Sequence, residues 1–507
     1  MNGNIDNLTK LPKGWALTTL NEILTMIRGV SYKKEHSTMV PGDGLLPILR
    51  ATNIQNGLIF DNLVYVPLKY ISEEQMLRPG DIIIAASSGS RHIVGKAAQL
   101  LKEWQGSWGA FCFGLRPNKS IDAKILAYFL QTSEYRQHVS EQSAGVNINN
   151  LQAKHIEQTP MLLAPLPEQH RIVAKIEELF TRLDAGTAAL KKVKAELKRY
   201  RQAVLKYAFE GKLTAAWREA NKDKIEPASV LLERIREGRK KAAPHGKFKD
   251  LPPVDTTVLE ELLLPQGWVK TTLSELLIVI RGVTYKKEHS SYIPSDDLVP
   301  ILRATNIQNG LVFENLVYVP KDYVSEDQML RPGDIVIAAS SGSRNIVGKA
   351  AQLTREWQGS WGAFCFGLRP NKGIDNHYLA NYLQTSEYRH HISELSAGVN
   401  INNLQSRHIE ETPIPLPSLL EQHRIVQEIE RRFSVADEVE KVVEQSLKQS
   451  ERLRQSILKK AFEGKLAPQD PSDEPADKLL ERIKAEKAKL EAEIKVKKAS
   501  KKQGRLL

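Results

Sequence analysis

The sequence predicts an α+β protein in which two like globular domains, related by a pseudo-two-fold axis, are separated by two long antiparallel coiled-coil helices. Three observations lead there: the chain contains its own copy at a constant offset, each copy begins with short β-rich runs punctuated by Gly, Pro and Asn, and each then changes to a heptad pattern.

The copy is nearly literal. Trp15 matches Trp268, Arg50 matches Arg303, Cys112 matches Cys365, His170 matches His423 and Phe209 matches Phe462, all at a separation of 253 residues. The tracts ILRATNIQNGL, QMLRPGDI, WQGSWGAFCFGLRPNK, SAGVNINNLQ, EQHRIV and AFEGKL each occur twice. So long a period marks a duplicated domain with its connecting segment, since solenoid repeats run to roughly 20–50 residues. The expected division is a first domain over 1–165, a helical spacer over 166–240, a linker over 241–263, a second domain over 264–417, a second spacer over 418–490 and a basic tail over 491–507.

Within a copy, the runs Asp81 to Ala85 and Ala110 to Leu115 read as buried strands, and Arg78-Pro79-Gly80-Asp81 reads as the turn that introduces the first of them. The apolar spacing of the tract IDAKILAYFLQTSEYR predicts a helix from Ala123 to Arg136. From Glu168 to Glu210 the residues Ile176, Leu179, Leu183, Leu190, Val193, Leu197, Tyr200 and Val204 recur at three and four, the seam of a coiled coil roughly 60 Å long. In the second copy the seam reads Ile425, Ile429, Phe433, Val439, Val443, Leu453 and Ile457, with more polar residues between them. An amphipathic rod of that length must bury its stripe, and the best-matched partner is the other copy. After AFEGKL the copies diverge, the second being five residues shorter before LLERI, and the Lys-rich end KKASKKQGRLL is expected to be frayed and solvated.

Lys and Arg number 72 against 60 Asp and Glu, a net charge of +12 that makes a polyanion a natural partner. No stretch is apolar enough to span a bilayer, and MNGNIDNLTKLPKGW lacks the layout of a signal peptide, so a cytoplasmic location is expected. The two cysteines, Cys112 and Cys365, fall in apolar runs; neither CxxC nor HExxH is present, and no structural metal is expected.

The tract Gly89 to Ala97 looks like a phosphate-binding loop, but it has one residue too many between its glycines and Ala97 where a Mg²⁺-binding hydroxyl belongs; its copy, Gly342 to Ala350, departs in the same way. There is no GxGxxG, no Asn-Pro-Pro-Tyr tetrad of an adenine methyltransferase and no nuclease carboxylate–lysine cluster. No catalytic residue and no cofactor site are therefore expected in this chain.

The polar loops have the residues of a DNA reader. Ser87, Ser88, Ser90, Arg91 and His92 combine small hydroxyls with an arginine suited to guanine O6 and N7, and Ser340, Ser341, Ser343, Arg344 and Asn345 repeat them with Asn345 in place of His92. A solvated turn would have the same composition. Asn147 and Asn400 belong to amide-rich loops suited to adenine N6 and N7, although amides beside glycine also serve local backbone groups, the reading favoured for Asn149. Arg28, Tyr32, Lys33 and Lys34, with Arg281, Tyr285, Lys286 and Lys287, fit phosphate clamps beside an aromatic. Arg50 and Asn53, with Arg303 and Asn306, are balanced between base contact and turn stabilisation. Trp104 and Trp108, beside a strand, read as core.

The run of Gly14-Trp15 and Gly267-Trp268, the RPGDI turns, the segments Pro165 to Val173 and Pro415 to Val426, and AFEGKL near each helix end resembles the specificity subunits of type I restriction-modification systems over nearly the whole chain. The resemblance implies that each target-recognition domain reads half of a bipartite DNA site and that the helices act as a ruler, with half-sites about one helical turn, roughly 34–36 Å, apart. It implies two methyltransferase subunits, binding S-adenosylmethionine, docked on the helices, and two motor-nuclease subunits using ATP and Mg²⁺. Family members usually carry two unlike modules and read asymmetric sites. Here the near-identical modules imply an interrupted palindrome, with His92 against Asn345 and the loop Ser37–Gly44 against Ser290–Asp297 as the positions where half-sites would differ. A stand-alone DNA-binding regulator, or a scaffold without sequence-dependent DNA affinity, are the competing classes.

Overall fold

The computed structural model describes residues 11–90, 93–143, 149–242, 264–396 and 402–503. The chain divides into two units: Met1–Leu190 with Gln445–Leu507, and Lys191–Glu444.

In the first unit, a four-stranded antiparallel sheet has the order Leu24–Arg28, Cys112–Pro117, Ile82–Ala85, Ala97–Gln99. A three-stranded sheet sets Leu45–Leu49 between antiparallel Val64–Pro67 and parallel Ser107–Trp108. Ala16–Thr19 pairs with Pro160–Leu163, tying the start of the domain to its end. The second unit repeats these sheets strand for strand, with Leu277–Arg281, Cys365–Pro370, Ile335–Ala338 and Ala350–Gln352 in its four-stranded sheet.

Three local expectations are corrected. The strand expected over Ala110 to Leu115 starts at Cys112, because Ala110 and Phe111 are the corners of a turn closed by the Cys112 N–H on the Gly109 carbonyl at 2.9 Å. The strand expected from Asp81 starts at Ile82; the Asp81 carboxylate accepts from the Arg78 N–H and forms a two-point pair with Arg116, at 2.8 and 2.7 Å. The helix expected from Ala123 to Arg136 is two, Ala123–Phe129 and Ser133–Gln142, because the Thr132 hydroxyl caps a new start by accepting from the Tyr135 N–H.

The long helices are Leu166–Phe209 and Leu419–Phe462, each of 44 residues, or about 66 Å. Their antiparallel pairing is explicit in the second unit: Lys194 reaches Glu444 at 2.6 Å and, two turns on, Arg201 reaches Asp437 at 2.6 Å, the partner position falling as the first rises. The expected seam of the second helix holds at Ile425, Ile429, Val443 and Ile457, which are buried, and differs at two positions. Val439 and Leu453 are exposed; one residue along, Glu440 and Arg454 occupy the seam, Glu440 pairing with Arg201 and Arg454 with Asp184. On the first helix Tyr200 is also exposed.

Each unit completes its core with chain from both copies. In the first, Ile457, Leu458 and Ala461 of the second long helix and Leu479, Leu480 and Ile483 of the helix Ala476–Gln503 pack with Trp15, Leu20, Leu163 and Ile172. In the second, Val204, Leu205, Ala208 and Phe209 of the first long helix and Leu231, Leu232 and Ile235 of the helix Ala228–Ala242 pack with Trp268, Leu273, Leu416 and Ile425. The duplicated AFEGKL tract makes this joint. Gly211 has φ +68°, and a Cβ there would come within 2.3 Å of the Pro265 ring, so only glycine lets the chain leave the helix against that proline. The tail expected to be solvated keeps helical backbone to Gln503.

Candidate nucleic-acid interface

The polar segments singled out above meet at one turn. In the first unit, the turn Gly109–Cys112 receives the segment after Leu24–Arg28, because the Val30 N–H donates to the Trp108 carbonyl at 2.7 Å. Gly29 is pressed so closely there that a Cβ would come within 2.0 Å of the Gly109 carbonyl oxygen. The Gly109 N–H donates to the Leu49 carbonyl at 2.9 Å, which sets Arg50 beside the same turn. The Phe111 carbonyl accepts from the N–H groups of Ala86 and Ser87, at 2.8 and 3.2 Å. Ser87–Ser88 then pairs with Asn149–Asn150. The second unit repeats the arrangement around Gly362–Cys365: Val283 donates to Trp361, Gly362 to Leu302, and Ala339 and Ser340 to Phe364.

Within this cluster the candidates fare differently. Arg28, Lys33, Lys34 and Ser90 are exposed, as are Arg281, Lys286, Lys287, Ser343, Arg344 and Asn345. Lys33 lies 3.5 Å and Lys286 3.7 Å from the carboxylates of Glu35 and Glu288, pairs in full solvent that a phosphate can displace. Tyr32 and Tyr285 are half-buried, and burial pushes both phenols up against the pull of Arg50 and Arg303 beside them. Ser87, Ser88, Ser340 and Ser341 are half-exposed, and the hydroxyls of Ser88 and Ser341 accept from the N–H of Ser90 and Ser343. Arg344 reaches the Ser393 carbonyl at 3.3 Å while staying exposed. Arg50 and Arg303 are half-buried; each donates Nη2 to a backbone carbonyl, of Asn62 or Asn315, and their Nε atoms have no partner among the described residues. Arg91, His92, Asn147 and Asn400 lie outside the described residues.

The amides of Asn53 and Asn306 are engaged within their own turns. They are only 4% and 3% exposed, and every polar atom of each amide is used: Oδ1 accepts from the N–H of Arg50 or Arg303, and Nδ2 donates to two carbonyls, Ile59 and Asp61 or Val312 and Glu314. These bonds are those of the turn-stabilising role weighed from sequence.

The residue that sequence reasoning misses is the aromatic at the turn corner. Phe111 and Phe364 fall inside an expected strand, yet they are 70% and 69% exposed, between fully buried Trp108 and Cys112 or Trp361 and Cys365. The available signal is the Trp-Gly-Ala-Phe order, in which glycine and alanine allow a tight corner before the strand.

The tract that resembles a phosphate-binding loop joins antiparallel strands Ile82–Ala85 and Ala97–Gln99 and opens no helix, so it lacks the N-terminal dipole that cradles phosphate. Burial pushes both cysteine thiols up to about 12. Among the described residues no group of His, Cys, Asp or Glu is placed to hold a metal ion, and no helix is long and apolar enough to cross a membrane.

The family model for the type I restriction modification DNA specificity domain matches residues 12–199 and again 265–449. The chain is 33% identical over 501 residues to the specificity subunit of the type I restriction enzyme StySPI of Salmonella potsdam, covering 95% of this chain and 97% of that one. To the EcoKI specificity subunit of Escherichia coli it is 32% identical over 494 residues, covering 94% and 97%. Among solved structures, one from a study of complex assembly and conformational transition in a type I R-M system aligns with a TM-score of 0.56 at 21% identity, covering 90% of this chain and 99% of that one.

Proposed function

The chain belongs to the type I restriction-modification DNA specificity family, and from that premise we propose that it supplies the sequence recognition of a type I restriction-modification complex while other subunits supply the chemistry. The observation that carries this is the duplicated loop cluster: in each unit, arginine, lysine and serine segments from three parts of the chain are pinned by backbone hydrogen bonds to one turn, and an asparagine pair is laddered to the serine strand. Exposed Arg28, Lys33 and Lys34, with Arg281, Lys286 and Lys287, supply phosphate contacts that position the duplex, and the serine loops read base edges. The cores beneath them keep that constellation rigid.

The domains over 1–165 and 264–417 each read half of a bipartite site, and the two long helices hold the gap between halves. Since the loops are nearly identical, the halves carry the same bases, in inverted order under the pseudo-dyad expected from the duplication; the site is an interrupted palindrome. Two methyltransferase subunits, which bind S-adenosylmethionine, dock on the helices, and two motor-nuclease subunits using ATP and Mg²⁺ complete the restricting complex. A docking feature is present on the second long helix within the Lys191–Glu444 unit: Val435, Val439 and Val442 are all exposed at spacings of four and three, one apolar face of a helix. The first copy has Arg182, Gly186 and Ala189 at the matching positions.

The test is a modified-base map of a host with and without this chain, its methylating subunit held constant. Loss of N6-methyladenine from one bipartite motif is expected. An unchanged methylation map, together with DNA binding that needs no methyltransferase, would replace this reading with that of a stand-alone regulator.

A further inference from the structure

Phe111 and Phe364 stand out because the fold spends rigidity on exposing them. A phenylalanine normally gains by burial, yet these are 70% and 69% exposed while their neighbours Trp108, Cys112, Trp361 and Cys365 are wholly buried. Their position is fixed from all sides. The Phe111 carbonyl holds Ala86 and Ser87, the turn is closed by Cys112 on Gly109, and Gly109 is bonded to Leu49; the second unit repeats every one of these bonds around Phe364. The ring therefore projects from the point where the Arg28–Lys34 segment, Arg50 and the Ser87–Ser88 strand come together, and its backbone sets their spacing. Its backbone is bonded among segments that carry cationic and hydroxyl side chains.

An aromatic ring held in that setting meets DNA at its one apolar feature in the major groove, the thymine 5-methyl group. We infer that Phe111 and Phe364 each contact the 5-methyl group of a thymine in the half-site read by their own domain, and so determine specificity at that position. This rests on the proposed DNA-reading function. It adds a base class and a residue that the charged and hydroxyl side chains do not provide.

The experiment uses the chain assembled with its methylating subunits and duplexes carrying the mapped motif, in which each thymine in turn is replaced by deoxyuridine, a change that removes only the methyl group. For the unaltered protein, one replacement per half-site lowers affinity about fourfold, the worth of one buried methyl group. Phe111→Ala lowers affinity for the all-thymine duplex by a similar factor and abolishes the penalty of deoxyuridine in one half-site; Phe364→Ala does the same in the other. Because both side chains are on the surface, the variants keep their thermal unfolding and subunit assembly. If no deoxyuridine replacement weakens binding, or if both variants keep the full penalty, the inference is overturned. A Phe111→Ala loss that is equal on thymine and deoxyuridine duplexes and comes with reduced DNA bending also overturns it, in favour of a wedge between base steps. A parent assembly that shows no motif-dependent binding at all would instead remove the DNA-reading function on which the inference rests.

Discussion

Arg218 donates Nη1 to Glu421 Oε1 at 2.5 Å, joining the segment that follows the first long helix to the opening turn of the second. The Glu421 carboxylate, only 1% exposed, also accepts from the Trp268 indole at 2.8 Å and the Thr214 hydroxyl at 2.7 Å. A buried carboxylate that loses its cation keeps its desolvation cost. Arg218→Ala is expected to lower the stability of the Lys191–Glu444 unit by about 3 kcal/mol, seen as a lower first transition in thermal unfolding. An unchanged melting profile would mean that Thr214 and Trp268 satisfy Glu421 unaided.

The matching carboxylate in the first unit, Glu168, accepts from the Trp15 indole at 3.1 Å, and there Arg171 pairs with Asp473 instead. Burial holds the Glu168 carboxyl above its ordinary range. A folded value above the unfolded one means the folded state binds the extra proton. The stability this group contributes is therefore full below the ordinary carboxylate value and is lost as pH rises through the raised one. Glu168→Gln, fixed in the neutral form, is expected to raise the melting temperature above that window and to flatten the pH dependence across it. A lower melting temperature at neutral pH would show that the ionised form is the better packed.

Asn53 separates a structural role from one suggested by composition. Asn53→Ala strands the carbonyls of Ile59 and Asp61 and the N–H of Arg50, at a cost of about 1–3 kcal/mol per buried group left unsatisfied. The melting temperature should fall while the methylated motif stays the same. A changed motif with unchanged stability would return Asn53 to the base-reading set.

Replacing Lys33 and Lys34 together by alanine should weaken binding to all duplexes alike, and the slope of log affinity against log salt should flatten by up to about 0.9 for each phosphate no longer neutralised. Titration at several salt concentrations measures this. An effect confined to the specific site would make these lysines base readers.

Val439→Asp puts a charge in the exposed valine stripe of the second long helix. Sizing of the mixed subunits should show weaker assembly with the methyltransferase, the unfolding temperature of the chain itself being unaltered. Intact assembly would place the methylating subunit on another surface.

Much of the fold is legible in the sequence because the duplication is literal: a residue in one copy can be checked against its twin, and the heptad pattern separates helix from sheet. What escapes depends on contacts between distant parts of the chain. Nothing near Phe111 tells that Ala86 and Ser87 bond its carbonyl and turn it outward. The burial of Asn53 depends on carbonyls six and eight residues away. The seam of the second helix departs from its hydrophobic pattern at two positions, Val439 and Leu453, because the residues that follow them, Glu440 and Arg454, take the seam as charged groups that pair with Arg201 and Asp184. The joining of the Ala476–Gln503 helix to the first core cannot be read from spacing, since Leu479, Leu480 and Ile483 would serve equally well in a free amphipathic helix.

If two copies of one reader recognise the same bases, the symmetry of the methylated motif must show it. The complex of this chain with its methylating subunits is used to modify a library of random DNA, and the N6-methyladenine sites are sequenced. Two half-sites are expected that are inverted copies of one another across a fixed gap, differing at no more than the positions served by His92 and Asn345 or by the loops Ser37–Gly44 and Ser290–Asp297. Two unrelated half-sites would refute the shared reading.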